Sequence, residues 1–331
     1  MKSIRSRTRR QMNWKTATIL LVALAILPCP ASAGLKLAFG SLSQTRPNYA
    51  RTISTIDIET GEIKDFAQDV LLPHHPESVT FAGGVWSPSG RFVIYRAVFR
   101  ADTENEDGTF IYDRRLGQVE RLFSGLGNKY SWSPDETEIA FSQRLAGNAV
   151  IRIVDRLTGS VRTIVSDQFN YEPAWHPSLP LIAFHRAQTE HAKPHLWTVS
   201  PDGSNLRDLM PTRQGSYWTP SWMGSGLNLV FFHLDGLYTL DAPSDVIEKM
   251  ASVRGVPLSS PDGQWIAVST AGMTPQDTAI GIVPTGGGDA IWFDTGNMSY
   301  LRATSWVPDY QVESVIEAKP WGEIKRQIRG R

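Results

Sequence analysis

The chain has 331 residues, long enough for one large core or two domains. Its formal charge of zero hides an asymmetry: residues 1–33 hold six basic side chains and no acid, which leaves 27 basic and 33 acidic residues beyond them. That acidic balance is a poor match to a nucleic-acid-binding protein, which needs a basic face to meet phosphates.

At the N-terminus, Lys2, Arg5, Arg7, Arg9, Arg10 and Lys15 precede an apolar run from Ala17 to Leu27. The run is too short to span a bilayer comfortably, which takes about 20 residues. Ala31-Ser32-Ala33 follows it. A basic head, a short apolar middle and an A-x-A end are the parts of a secretory signal, so residues 1–33 are expected to be a signal peptide cleaved after Ala33. Thr8-Arg9-Arg10-Gln11-Met12 resembles a twin-arginine export motif, which leaves the export route open. Cys29 is the one cysteine, and that cleavage removes it. The mature chain is then expected to hold no disulfide and no cysteine metal ligand, so its stability must come from packing.

Beyond residue 33 a repeat runs through the chain. Val85-Trp86-Ser87-Pro88-Ser89-Gly90 leads to Phe92-Val93-Ile94-Tyr95, and Ser131-Trp132-Ser133-Pro134-Asp135 leads to Ile139-Ala140-Phe141. Ala174-Trp175-His176-Pro177, Ser221-Trp222-Met223-Gly224, Leu258-Ser259-Ser260-Pro261-Asp262-Gly263 and Ser305-Trp306-Val307-Pro308 continue the series. Steps between the proline positions are 46, 43, 47, 37 and 47 residues, the length of a four-stranded propeller blade. In each copy an apolar residue and Trp end a strand, Ser-Pro-Asp/Ser-Gly builds a turn, and a β-rich run begins the next strand. Gly117, Gly159, Gly203 and Gly286-Gly287-Gly288 lie about 25 to 29 residues after a proline position and mark hairpins between third and fourth strands. The fifth copy has Pro243-Ser244-Asp245 there instead. No long amphipathic helix is expected after residue 33.

The two ends complement each other. Leu35–Gly40 reads as a second strand lacking a first, with Ile53–Ile58 as its third strand and Thr60-Gly61 as the turn. Thr304–Pro308 reads as a first strand with no blade after it. The expected fold class is therefore all-β: a six-bladed β-propeller over residues 34–311, whose C-terminal strand closes the N-terminal blade and leaves only short edges. Residues 312–331 are expected to form a basic C-terminal tail.

The recurrent W-S-P-D-G-x-x-I-A-F pattern resembles the WD40-like PD40 repeat of the TolB-like propeller family. It is carried by Trp86, Pro88, Gly90, Trp132, Pro134, Asp135, Trp175, Pro177, Trp222, Pro261, Asp262, Gly263, Trp306 and Pro308. The resemblance covers residues 34 to 311 and implies a periplasmic protein that binds other proteins of the cell envelope. Members of the Tol system carry an α/β domain before the propeller. Here the first strand starts almost at the expected cleavage site, so that domain is expected to be absent. The same repeats occur in prolyl-oligopeptidase-type peptidases and in oligogalacturonate lyases, so fold alone does not choose the function.

No G-x-S-x-G elbow and no P-loop or dinucleotide fingerprint is present, so a peptidase and a nucleotide-binding protein lose their support. Seven histidines occur, at 74, 75, 176, 185, 191, 195 and 233, and they read as blade residues satisfied by backbone or water. No catalytic residue, metal or cofactor is therefore expected. The approach to each Trp carries a different signal. Tyr130, Tyr171, Glu172, Tyr217, Trp218, Arg254, Tyr300 and Arg302 occupy equivalent positions that would ring one mouth of a central channel. Tyr, Trp and Arg are the side chains that most often carry interface energy. The expected function is a non-enzymatic, monomeric, periplasmic scaffold that binds an envelope protein or peptide at that mouth. The alternative is a metal-dependent lyase or binding protein for acidic oligosaccharides.

Overall fold

The structure is a computed structural model that describes residues 35–42, 51–75, 79–99, 107–270, 278–296 and 298–308. The expected signal peptide, with Cys29, and the expected tail lie outside the described residues. The strands fall into five hydrogen-bonded sheets, four of four strands and one of eight. The eight-stranded sheet is two antiparallel sets joined by one parallel bridge, from Ala149 to Phe169. Counting its halves separately, the described residues form six four-stranded sets.

The first set joins the two ends of the described chain in the order β24 (Arg302–Val307), β1 (Lys36–Leu42), β2 (Arg51–Asp57) and β3 (Ile63–Lys64). Strand β24 runs antiparallel to β1, with Lys36 opposite Val307 and Leu37 opposite Trp306. The second set is β4 (Val79–Trp86), β5 (Phe92–Phe99), β6 (Gly108–Asp113) and β7 (Gln118–Ser124). The third is β8 (Asn128–Trp132), β9 (Glu138–Leu145), β10 (Asn148–Asp155) and β11 (Val161–Val165). The fourth is β12 (Phe169–Trp175), β13 (Ile182–Ala187), β14 (His195–Val199) and β15 (Arg207–Asp208). The fifth is β16 (Trp218–Trp222), β17 (Asn228–His233), β18 (Gly236–Asp241) and β19 (Val246–Ala251). The sixth is β20 (Val256–Ser259), β21 (Trp265–Ser269), β22 (Ile280–Pro284) and β23 (Ile291–Trp292). Short helical turns at Ala67–Leu71 and Leu72–His74 lie between the first two sets, and Ala67 and Leu71 are fully buried against them.

Each turn type has a chemical cause. In the Ser-Pro turns the hydroxyls of Ser87, Ser133 and Ser260 accept the backbone N–H of Phe92, Glu138 and Trp265, five residues on. In the outer hairpins Asp57, Asp113 and Asp155 each accept two backbone N–H groups from the turn that follows. Gly61, Gly117 and Gly159 complete these turns at φ of 72°, 63° and 68°. A Cβ on Gly159 would stand 2.6 Å from the carbonyl oxygen of Leu122, so only glycine fits there.

The second strands are apolar on consecutive residues because both of their faces are covered. Ile139 and Phe141 of β9 pack toward the second set, while Ala140 between them packs toward the fourth. Leu229 and Phe231 of β17 pack toward the fourth set, and Val230 toward the sixth. Every one of six core clusters draws its residues from two sets, and one of them joins the sixth set to the first through Leu37, Phe39, Ala267 and Trp306. Trp86, Trp132, Trp175, Trp222 and Trp306 are all buried in these seams.

Polar latches cross the same seams in alternation. The indole N–H groups of Trp132, Trp222 and Trp306 donate to the carbonyls of Val85, Ala174 and Leu258 in the preceding set, at 3.2, 2.9 and 3.1 Å. Beside each of them a serine serves the following set. Ser131, Ser221 and Ser305 accept the backbone N–H of Trp175, Ser259 and Trp86, at 2.8, 3.0 and 3.1 Å. Where Val85 or Ala174 stands in place of that serine, the indoles of Trp86 and Trp175 have no partner among the described residues. The single-blade repeat thus contains a two-set unit, Ser-Trp followed by apolar-Trp or apolar-Ser, used three times.

Candidate functional site

The site begins with a break in strand regularity. Ladder pairing in β4, β8, β12 and β16 shifts register at 82/85, 128/131, 171/174 and 218/221. At each shift the residue three before the Trp has positive φ: Gly83 at 70°, Lys129 at 53°, Glu172 at 56° and Thr219 at 53°. Only glycine takes this conformation freely; any other residue is strained by about 1–2 kcal/mol. Such bulges re-aim side chains, and strain of this kind collects at functional sites.

Lys129 and Glu172 are re-aimed into a cavity of about 530 Å³. Arg51, Arg96, Lys129 and Arg302 line it together with Glu172, which is its one acidic lining residue among the described residues. The cations come from β2, β5, β8 and β24, and the carboxylate from β12. A second cavity, of about 620 Å³, is lined by the ends of the first strands of all six sets and by Pro88, Pro177, Pro261 and Pro308. Lys129, Tyr130, Glu172, Val256 and Thr304 line both cavities.

Charge dominates the first cavity. Arg302 donates to Glu172 in an ion pair between residues 130 apart in sequence. Arg96 donates to the side-chain oxygen of Asn128 at 2.7 Å. Burial drives the Lys129 ammonium down to about 8, helped by Arg302 and opposed by Glu172. Burial acts to raise the Glu172 carboxyl, but Lys129, Arg302 and His185 outweigh it and hold it at about 2. The His185 imidazole falls to about 4, first through burial and then through Arg302 and Lys129 against the pull of Glu172. Burial also lowers the Arg96 guanidinium, with Arg51 and Arg302 adding to the effect.

Of the eight residues expected at a channel mouth, Tyr130, Tyr171, Glu172, Tyr300 and Arg302 line this cavity. Tyr300 is half-exposed and Tyr171 accepts a hydrogen bond from Arg144 at 3.2 Å. Tyr130 is buried in a seam, sharing a 2.8 Å hydrogen bond with Thr109 and donating to the Gly127 carbonyl. Tyr217 is also buried, stacked on His233 with centroids 4.8 Å apart. Trp218 sets its edge against His185 and Arg254 is exposed; neither lines the first cavity.

Lys129, Arg51 and Arg96 belong to the site but escape a reading of the sequence. In a regular strand Asn128 and Tyr130 face one way and Lys129 the other; at the bulge all three line the cavity. Gly83-Gly84 at the equivalent place in the second copy is the signal that left-handed backbone occurs there.

The histidines are distributed rather than gathered. His176 is fully buried in its turn, its Nδ1 accepting from Ser178 and Leu179 and its Nε2 donating to the Gly226 carbonyl. His75 shares a 2.7 Å hydrogen bond with Tyr95, His195 meets Asp208, and His233 meets the Ser216 carbonyl. Among the described residues no three His, Cys, Asp or Glu side chains are grouped to hold a metal.

No family model matches the sequence, and no curated protein matches it. Solved structures do match by shape. TolB from Acinetobacter baumannii superposes at a TM-score of 0.64 with 17% identity, over 83% of this chain and 67% of that one. An oligogalacturonate lyase in complex with manganese gives 0.53 and 16%, over 77% and 73%. A chain of a nidogen/laminin complex gives 0.60 and 10%, over 83% and 99%. The fold is a TolB-like β-propeller. In a propeller the blades surround a central channel, and first-strand residues line both cavities. No helix among the described residues is long and apolar enough to cross a membrane.

Proposed function

We propose that this propeller is an exported, monomeric interaction module without chemistry of its own, six-bladed and closed by β24, which binds a partner protein or peptide at the cationic end of its channel. Support for the closed six-blade form comes from the β1–β24 pairing and from the six seams, each shared by two sets, that return from the sixth set to the first. One observation carries the functional reading: four cations and one carboxylate converge in one open cavity, two of them held in left-handed backbone, beside the half-exposed ring of Tyr300.

The test is capture from an envelope extract by the full chain carrying a photo-crosslinker at position 300 or at position 157, where Leu157 sits exposed in an outer hairpin. Docking at the channel end predicts a discrete adduct from position 300 that disappears in Arg302→Gln, and none from position 157. Equal labelling from both positions refutes it. Adducts lost in a chain ending at residue 311 would move the contact to the tail.

A second reading, binding of acidic oligosaccharides, is favoured by the same excess of positive charge. Binding of digalacturonate to the purified chain with stoichiometric metal would support that reading against the first.

A further inference from the structure

We propose that the Arg302–Glu172 ion pair is a displaceable crossbar over an anion site, and that an acidic peptide segment of the partner takes Arg302 from Glu172 and lies among Arg51, Arg96 and Lys129. This rests on the docking reading above and names the chemistry of the partner.

The crossbar follows from topology. Arg302 is the first residue of β24 in the first set, and Glu172 lies in β12 of the fourth set. In a ring of six these sets stand opposite each other, so the pair spans the channel instead of stitching neighbours together. It is also accessible, because the Arg302 side chain is 46% exposed and that of Glu172 18%. Arg302, the more exposed partner, is the one free to exchange carboxylates, while Glu172 keeps Lys129 as a counter-charge.

Charge balance calls for the exchange. Four cations line the cavity and Glu172 is the single carboxylate lining it among the described residues. Like charges held together in a half-buried space repel strongly, and the lowered Lys129 ammonium and Arg96 guanidinium register that repulsion together with burial. An incoming segment with several carboxylates relieves it. The cations come from β2, β5, β8 and β24, so an incoming acidic segment meets positive charge from three of the sets. Arginine forks donate to carboxylates in bidentate geometry, and Tyr300 beside them offers an aromatic face.

Calorimetric titration of the full chain with hexaglutamate tests this, with hexalysine as the sign control and digalacturonate as the sugar arm. Hexaglutamate is expected to bind, and to bind less tightly as salt rises. Glu172→Gln removes the competing carboxylate and should tighten binding by about fivefold or more, whereas Arg96→Gln and Lys129→Gln should each weaken it by about tenfold. Three results overturn the proposal: Glu172→Gln binding no tighter than the parent, digalacturonate binding where hexaglutamate does not, or neither ligand binding. If near-ultraviolet circular dichroism shows that Glu172→Gln does not fold, Arg302→Gln is read instead; a loss of about fivefold supports the crossbar, and no change overturns it. Crosslinking from position 300 is independent of these titrations. An adduct there with no hexaglutamate binding sinks this inference and leaves docking standing, while hexaglutamate binding without an adduct overturns docking and, with it, the partner segment as occupant of the anion site.

Discussion

Replacing the seam tryptophans one at a time by phenylalanine separates the hydrogen bond from the packing. All five indoles are buried to a similar degree, so each replacement loses a similar area of ring. They differ in what the indole N–H does. At Trp132, Trp222 and Trp306 it donates to a carbonyl in the neighbouring set, whereas at Trp86 and Trp175 it has no partner among the described residues. Leaving a buried carbonyl without its donor costs about 1–3 kcal/mol, and removing a buried donor that had no acceptor returns part of a similar penalty. The two groups should therefore separate by about 2 kcal/mol or more, after a packing loss common to both. For a chain of this size that is roughly 4 °C in melting temperature, at about 2 °C per kcal/mol. Differential scanning calorimetry of the five variants reads it directly. Equal destabilisation of all five would refute the alternating latches and reduce the tryptophans to plain packing residues.

Other outcomes follow from the same contacts. Ser305→Ala strips the acceptor from the Trp86 backbone N–H and should destabilise by about 1–3 kcal/mol in equilibrium unfolding, as should Ser131→Ala and Ser221→Ala at their seams. His75 and His185 are both held to about 4, chiefly by burial. The unfolded chain therefore binds more protons between about pH 6.5 and 4. Melting temperature should fall as pH drops through that window, and His75→Phe should flatten the fall; a flat profile in the parent contradicts the burial of both rings. Glu172→Gln removes the charge that holds the Lys129 proton, so the pH midpoint for acylation of Lys129 should move below about 8. A midpoint that rises would mean that Glu172 is not its counter-charge. Gly159→Ala places a methyl group against the Leu122 carbonyl at positive φ and should lower the melting temperature, whereas Gly147→Ala, at positive φ but with open space around it, should cost less.

Much of the fold is legible in the sequence because its repeat is local. Trp-Ser-Pro-Asp/Ser-Gly encodes a strand end, a turn and a strand start within a few residues, and the strands appear where the pattern puts them. The joining of Lys36–Leu42 to Arg302–Val307 is legible for another reason: each end lacks the partner strand that the other supplies. The alternating latches are harder to see, since Ser131, Ser221 and Ser305 look like variants of a position that elsewhere holds Val85, Ala174 or Leu258. Their role depends on which backbone N–H crosses the seam toward them. The site was half legible. Composition picks out Tyr130, Tyr171, Glu172, Tyr300 and Arg302, which line the first cavity, but it also selects Tyr217, whose ring is buried against His233, because aromatic type does not report burial. Lys129 was hidden by the assumption of regular alternation, and Arg51 and Arg96 lie on second strands, outside the stretch before each Trp.

Everything at the cationic end depends on the two ends of the chain sharing one sheet, since that places Arg302 across from Glu172. A disulfide trap reads this directly. Lys36 and Val307 are paired across β1 and β24, and antiparallel partners stand at Cα separations that a disulfide can bridge. With cysteines at both positions and Cys29→Ser, mild oxidation of the folded protein should give an intramolecular disulfide in high yield, and reducing it should lower the melting temperature because a loop of 271 residues is released. Failure to form that disulfide, or formation only between molecules, would contradict the closed ring.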